Sequence, residues 1–201
     1  MRDKKQDLRA RFTLQRESLA SAELRVWTRI IQQTALEFHP YRAAKNVVLY
    51  GSFGNEVATI DISEHALKSG KSVFYPRIVR RGCVELIRVA SREALQPGTY
   101  GILEPRDGPT ITPQELQTGI VFVPGVAFDL SGGRLGRGHG AYDRLLARCE
   151  DQLKLVALAY EFQIVENVPT DEWDRRVHYI ITERRIINCL GADPALLNRT
   201  F

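Results

Sequence analysis

Apolar positions along this chain fall into two periods that alternate. In SAELRVWTRIIQQTALEFHP (21–40), Leu24, Trp27, Ile31, Ala35 and Phe38 recur at helical spacing. Ser21 stands where a cap is favoured, Glu23 suits the first turn, and Pro40 reads as the stop. NVVLY (46–50) then reads as a buried strand, TIDISEHALKSG (59–70) as a helix capped by Thr59 and closed at Gly70, and SVFYP (72–76) as the next strand. CVELIRV (83–89) is a further strand, whereas the glycines and prolines of GTYGILEPRDGPTITP (98–113) predict loop. GIVFVPGVAF (119–128) opens with a strand, and AYDRLLARCEDQ (141–152) sets Tyr142, Leu145, Leu146 and Cys149 on one helical face. KLVALAY (154–160) and YIITE (179–183) return as strands. Two strand–helix–strand units predict an α/β fold: one domain over 1–201, with a largely parallel sheet flanked by helices and a helical region over 1–39 packed on it.

Composition sharpens this picture only in places. With 201 residues, 44% apolar and 26% charged, the chain has the makeup of a globular protein with one substantial core. No apolar run approaches a membrane span, and MRDKKQDLRARF carries charge where a signal peptide would be apolar. No membrane partner and a cytoplasmic location are expected. Cys83, Cys149 and Cys189 form no CxxC pair, so they read as small core residues and suggest neither a disulfide framework nor a zinc knuckle. The net charge of +4 is modest, but 22 of the 28 cations are arginine. Arginine's planar fork suits phosphate and carboxylate, and compositional bias gives the same excess, so its local concentrations carry the argument.

One such concentration is GGRLGRGHGAYDR (132–144), with five glycines and three arginines in thirteen residues. It follows the strand IVFV and runs into a helix near Gly140, which places it beyond the carboxyl end of a sheet strand, where ligands of open α/β folds bind. Gly136, Gly138 and Gly140 let backbone N–H groups approach an anion, the helix N-terminus adds partial positive charge, and Arg134 and Arg137 supply charged donors. A phosphate chain answers that geometry; a glycine-rich hairpin with solvated arginines is the plain alternative. The stretch is neither a Walker loop nor a Rossmann fingerprint. Repulsion between Arg134 and Arg137 predicts a loop that stays loose until an anion arrives.

FVPGVAFDLSGGRLGRGHGAYDRLL (122–146) strongly resembles the signature of the 5-formyltetrahydrofolate cyclo-ligase family, also called methenyltetrahydrofolate synthetases. KQDLR (5–9), NEVAT (55–59), GTYGILEP (98–105) and VPTDEWDRRVHYIITE (168–183) resemble further landmarks of that family, in the family's order. The resemblance implies an ATP-dependent ring closure of 5-formyltetrahydrofolate, with or without a polyglutamate tail, to 5,10-methenyltetrahydrofolate, with magnesium as the metal. It implies ATP contacts from Lys5, Arg9 and the run Arg134, Leu135, Gly136, Arg137, Gly138, His139, Gly140, Ala141 and Tyr142, with Arg134 and Arg137 catalytic. It also implies folate contacts from Gly51, Glu56, Tyr100 and the 137–141 segment, and magnesium on Asp143 and Asp174.

Two positions depart from the family pattern. Ala141 precedes Tyr142 where consecutive tyrosines are usual, and His178 follows Val177 where an aspartate is usual, replacing an acceptor with a switchable donor and acceptor. Two alternatives stay open: an ATP-using relative acting on another formylated or carboxylated metabolite, and a non-catalytic nucleotide- or RNA-binding regulator. The second lacks the interleaved aromatics of a stacking platform, so nucleic acid is not an expected partner. The protein is expected to be a monomer.

Overall fold

A computed structural model of the chain describes residues 2–79, 84–98, 101–138, 140–149, 151–171 and 174–191, excepting the side chains of residues 2, 3, 78 and 141. It begins with helices α1 (Arg2–Ser18), α2 (Ser21–Glu37) and α3 (His39–Ala43). Polar residues dominate α1, which is anchored through Phe12 against Val126, Ala127, Leu135 and Val168. The periodic face of α2 is buried as its spacing predicts, through Leu24, Ile31 and Ala35, with Trp27 partly covered. Ser21 is the first helical residue and Ala20 holds the cap position. Pro40 lies in the first turn of α3, where a missing N–H removes no helical bond, so helix resumes around the residue read as a stop.

The first crossover comprises β1 (Asn46–Val48), α4 (Ile60–Lys68) and β2 (Ser72–Ile78), followed by β3 (Val84–Val89). Thr59 holds the cap position of α4, but its hydroxyl donates 2.9 Å to the Tyr50 carbonyl and so ties the loop after β1 to the helix. Short strand β4 (Leu95–Pro97) precedes the stretch expected to be loop, and β5 (Leu103–Pro105) and β6 (Thr110–Ile111) lie within it. The chain continues through β7 (Gly119–Val123), β8 (Ala127–Asp129), β9 (Arg134–Leu135), α5 (Ala141–Ala147) and β10 (Leu153–Leu158). It closes with β11 (Ile164–Val165), β12 (Tyr179–Ile181) and β13 (Ile186–Asn188).

Among the described residues, eight strands pair in the order β13-β12-β10-β7-β1-β2-β3-β6. The neighbours from β12 to β2 are parallel, and β13, β3 and β6 add antiparallel edges. Alternation along the central strands feeds two faces. Val47, Leu49, Ile120, Phe122, Val156 and Leu158 pack toward α2, α3 and α4, while Val48, Val121, Val123, Leu155 and Ala157 pack with Leu145 and Leu146 of α5. From β1 the chain winds to β2, then reappears on the other side of β1 as β7 and moves on to β10. Strand order reverses between β1 and β7, so the loops leaving their carboxyl ends part and open a crevice.

Candidate active site

Two adjoining cavities occupy that crevice. One is a narrow chamber of ≈ 90 Å³ whose walls include Gly51, Glu56, Pro124, Arg134, Arg137 and Tyr142. The other is a cleft of ≈ 420 Å³ between α1 and the loop after β1, with Arg9, Thr13, Arg16, Phe53, Asn55 and Arg137 along it. Arg137 belongs to both.

The glycine-arginine loop is held from below by Asp129. Its carboxylate accepts from the Ser131 backbone N–H at 3.0 Å, the Ser131 hydroxyl at 2.6 Å, the Gly133 N–H at 2.8 Å and the Val168 N–H at 2.9 Å. Burial would raise the Asp129 pKa, but these donors outweigh it and hold the carboxyl below its ordinary range. Gly138 and Gly140 have φ of 98° and 68°, conformations that glycine takes without strain, and Gly140 caps α5. Arg9 Nε donates 2.9 Å to the Gly136 carbonyl and binds α1 to the loop.

Neither arginine of the loop is held apart by repulsion, because each has an internal carboxylate. Arg134, its side chain only 4% exposed, pairs with Asp143 and donates from Nη1 to the Pro124 carbonyl at 3.2 Å. Burial pulls its pKa down, opposed first by Asp143 and then by Tyr142 and Asp174. Its Nε is buried with no acceptor among the described residues. Arg137 donates 2.9 Å from Nε to Glu56 Oε1 and 3.1 Å from Nη2 to the Phe53 carbonyl, with the Phe53 ring 4.7 Å from its guanidinium carbon. Tyr142 sits in the chamber wall, its guanidinium neighbour Arg134 6.0 Å from the ring, and burial raises its hydroxyl pKa far above the ordinary value.

Lys5 reaches the same region from α1, with Nζ 2.7 Å from Asp171 and 3.3 Å from Asp174. Burial lowers its pKa, and the bonds to the two aspartates more than reverse that. Asp143 and Asp174 both act on Arg134, one as its ion-pair partner and one through its field. Among the described residues no three His, Cys, Asp or Glu side chains cluster as a metal cage. Magnesium is commonly held by one or two carboxylates together with substrate phosphates and water, and two aspartates beside a phosphate-type loop fit that requirement.

Several residues singled out in the sequence take other places. The Leu135 side chain is 2% exposed and packs in the α1 cluster, leaving only its backbone to the loop. Gly51 lines the chamber, but what forbids a side chain there is β5, since a Cβ would stand 2.1 Å from the Leu103 carbonyl oxygen. His178 is no switch in the site. Its Nδ1 accepts 3.0 Å from the Leu155 N–H on β10, and burial, Lys154 and Arg175 lower its pKa. Tyr100, His139 and Cys83 lie outside the described residues, as does the Ala141 side chain. Cys149 is buried, and burial with Asp129 nearby pushes the Cys189 thiol up to about 12. Asp129, Glu104 and Asp171 stood within stretches that resemble family landmarks but were not singled out in them, and Arg16 stood in none.

The comparison with known proteins follows the same geometry. A model of the 5-formyltetrahydrofolate cyclo-ligase family matches residues 1–183. The chain belongs to that family. It is 32% identical to the 5-formyltetrahydrofolate cyclo-ligase of Mus musculus, over 89% of this chain and 93% of the relative. The enzyme of that name from Haemophilus influenzae is also 32% identical, over 85% and 93% of the two chains. The NMR structure of Aquifex aeolicus 5,10-methenyltetrahydrofolate synthetase superposes with a TM-score of 0.82 at 33% identity, covering 97% of this chain and 96% of the other. The fold of this chain is thus the cyclo-ligase fold.

Proposed function

We infer that this protein closes 5-formyltetrahydrofolate to 5,10-methenyltetrahydrofolate with consumption of ATP. The observation that carries the reading is Arg137, a cation on the glycine loop that walls both a chamber edged by Glu56 and a cleft edged by α1. A phosphoryl donor and a phosphoryl acceptor have to meet at such a wall.

An N-formyl group is a weak electrophile and its oxygen a poor leaving group. In the reaction proposed, the formyl oxygen attacks the γ-phosphorus and ADP departs. N10 of the folate then attacks the activated carbon, losing its proton, and the oxygen leaves as phosphate. No enzyme nucleophile is needed, so the protein contributes position and charge. Arg134 and Arg137 face the transferring phosphoryl group, Lys5 and Arg9 hold the nucleotide from α1, and Glu56 accepts from the donor edge of the pterin. Backbone N–H groups of residues 135–142 line the phosphates. Magnesium, held by Asp143 and Asp174 with the nucleotide, would draw charge from the phosphate oxygens. The two partner exchanges are linked in one bridge: Arg137 turning to phosphate releases Glu56 to the pterin.

The protein is proposed to act as a cytoplasmic monomer without nucleic acid as a partner; among the described residues no helix is long and apolar enough to cross a membrane. Purified protein with ATP, magnesium and 5-formyltetrahydrofolate is expected to generate the absorbance of methenyltetrahydrofolate. Its absence at saturating concentrations of all three would refute the activity.

A further inference from the structure

The cleft beside α1 contains a cation that the reaction above does not use. Arg9, Thr13 and Arg16 lie along one face of the helix, opposite Phe53, Gly54 and Asn55. Arg9 is committed to the Gly136 carbonyl, and Arg137 to Glu56 and the Phe53 carbonyl. Arg16 is 8% exposed, yet among the described residues no acceptor lies within hydrogen-bond distance of its guanidinium. Its backbone carbonyl accepts from Asn55 Nδ2 at 3.4 Å, which draws the loop over it. The charged groups that act on it are Glu56 and Glu17, which favour its charge, and Arg137, which opposes it; burial opposes it most. Glu56 is already the partner of Arg137, and Glu17 stands exposed along the cleft. Three guanidinium groups thus converge on one cavity with a single acidic side chain on its wall.

Arg16 packs its stem into the cleft wall and keeps its guanidinium nitrogens accessible there, so its donors stand open to a ligand oxyanion, whereas packing alone would be served as well by an apolar side chain. The position also has no role among the landmarks shared with the family, because KQDLR ends at Arg9.

We propose that this cleft is an oxyanion subsite in which Arg16 receives a phosphate or carboxylate of a ligand extending past Arg137, with Thr13 and Asn55 beside it. The choice of ligand rests on the cyclo-ligase reading, which supplies two sources of one chemistry: the nucleotide phosphates, and the carboxylates of the glutamyl tail of the folate. A folate seated with its ring against Glu56 would have to run its tail out of the narrow chamber, and Arg137 lines both that chamber and the cleft.

Calorimetry on Arg16→Met, which keeps an apolar stem of similar length, tests the subsite. Arg16→Lys, which keeps the charge, is its control. The probes are inorganic tripolyphosphate and 5-formyltetrahydrofolate bearing one or three γ-linked glutamates. A lost charged hydrogen bond weakens the responsible probe about tenfold to a hundredfold, with partial recovery in Arg16→Lys. A loss confined to tripolyphosphate assigns the nucleotide, and a loss of the triglutamate's advantage over the monoglutamate assigns the tail. The melting temperature of the unliganded Arg16→Met protein is expected to hold or rise, which separates a ligand role from a structural one. Wild-type affinity for every probe in Arg16→Met would overturn the proposal, as would a wild-type protein that binds neither tripolyphosphate nor the triglutamate better than the monoglutamate. These are binding measurements, so a protein that loses a probe through Arg16 but forms no methenyltetrahydrofolate keeps the subsite and refutes the activity.

Discussion

Replacing Glu56 by glutamine should uncouple the two substrates. Glu56 has an 8% exposed side chain and meets Arg137, 32% exposed, at 2.9 Å. A pair of this exposure falls between surface bridges, worth ~0–1 kcal/mol, and fully buried ones, whose disruption costs ~3–5 kcal/mol, so about 1–2 kcal/mol is appropriate. Under the proposed function either substrate has to break this bridge, and the second to arrive finds it already broken. Each ligand should therefore tighten the other by about fivefold to thirtyfold in the wild type, reciprocally. In Glu56→Gln the bridge is weakened beforehand. Magnesium with a non-hydrolysable ATP analogue should then bind the free protein tighter by a similar factor, and the coupling should fall toward unity. Folate affinity should drop most when the analogue is already bound, by the ~1.5–3 kcal/mol of a charged hydrogen bond, and less without it, since release from the bridge offsets part of the loss. Calorimetric titration of each ligand in the absence and presence of the other measures all four quantities. If analogue affinity falls along with folate affinity, Glu56 supports the loop and does not arbitrate between the substrates.

Three further outcomes follow from named contacts. Asp143→Asn leaves Arg134 buried without its carboxylate, so stability should fall by roughly 2–4 kcal/mol while turnover falls steeply; high magnesium should restore part of the turnover and none of the melting temperature, and an unchanged rate at ordinary magnesium would remove Asp143 from the metal site. Asp129→Ala strands the Ser131, Gly133 and Val168 N–H groups and should cost roughly 3–5 kcal/mol in a denaturant titration, far more than Ser131→Ala, which spares the three backbone bonds. The pKa of His178 is lower in the folded protein than in the unfolded chain, so its contribution is fully present above the unfolded value and is lost as pH falls toward and through the folded one; His178→Gln, which can still accept from Leu155, should flatten the melting-temperature profile in that acid window, and an unchanged slope would assign the effect to other groups.

The central fold was legible because burial imposes periodicity. Strands buried on both faces read as continuous apolar runs, and Leu24, Ile31 and Ala35 mark α2 because one helical face meets the sheet. Elements of two or three residues, such as β9 or β11, are too short to impose a period, and β4 to β6 are hidden among turn residues. The α1 helix turns Phe12 and Leu8 to an apolar cluster, so its pattern gives no amphipathic stripe, and although a helical region was expected over 1–39, only the resemblance of KQDLR to a family landmark tied it to the site. The candidate site was legible where its residues are consecutive, as in the run from 134 to 143. It was not legible where a charge has its partner far along the chain. Lys5 meets Asp171 across 166 positions, Arg9 meets Gly136 across 127 and Arg137 meets Glu56 across 81. Sequence displays those ions, but topology alone decides which of them neutralise each other.

That distribution of partners also explains how a chain can keep so many cations around one crevice. Lys5, Arg134 and Arg137 are each stabilised by carboxylates brought in from another segment, so no large unpaired charge has to be buried in the unliganded protein. Under the proposed function binding becomes exchange, with a phosphate oxygen replacing an aspartate or glutamate at the same guanidinium. Exchange is weaker than capture by a bare cation, since the internal pair must first be broken, but it is selective. A lone chloride or carboxylate offers one charge and gains little over the partner it displaces, whereas a polyphosphate can replace several partners together. Arg16 is the exception, a guanidinium opening on the cleft with no acceptor among the described residues to exchange, and for that reason it should respond to the first suitable oxyanion that reaches it.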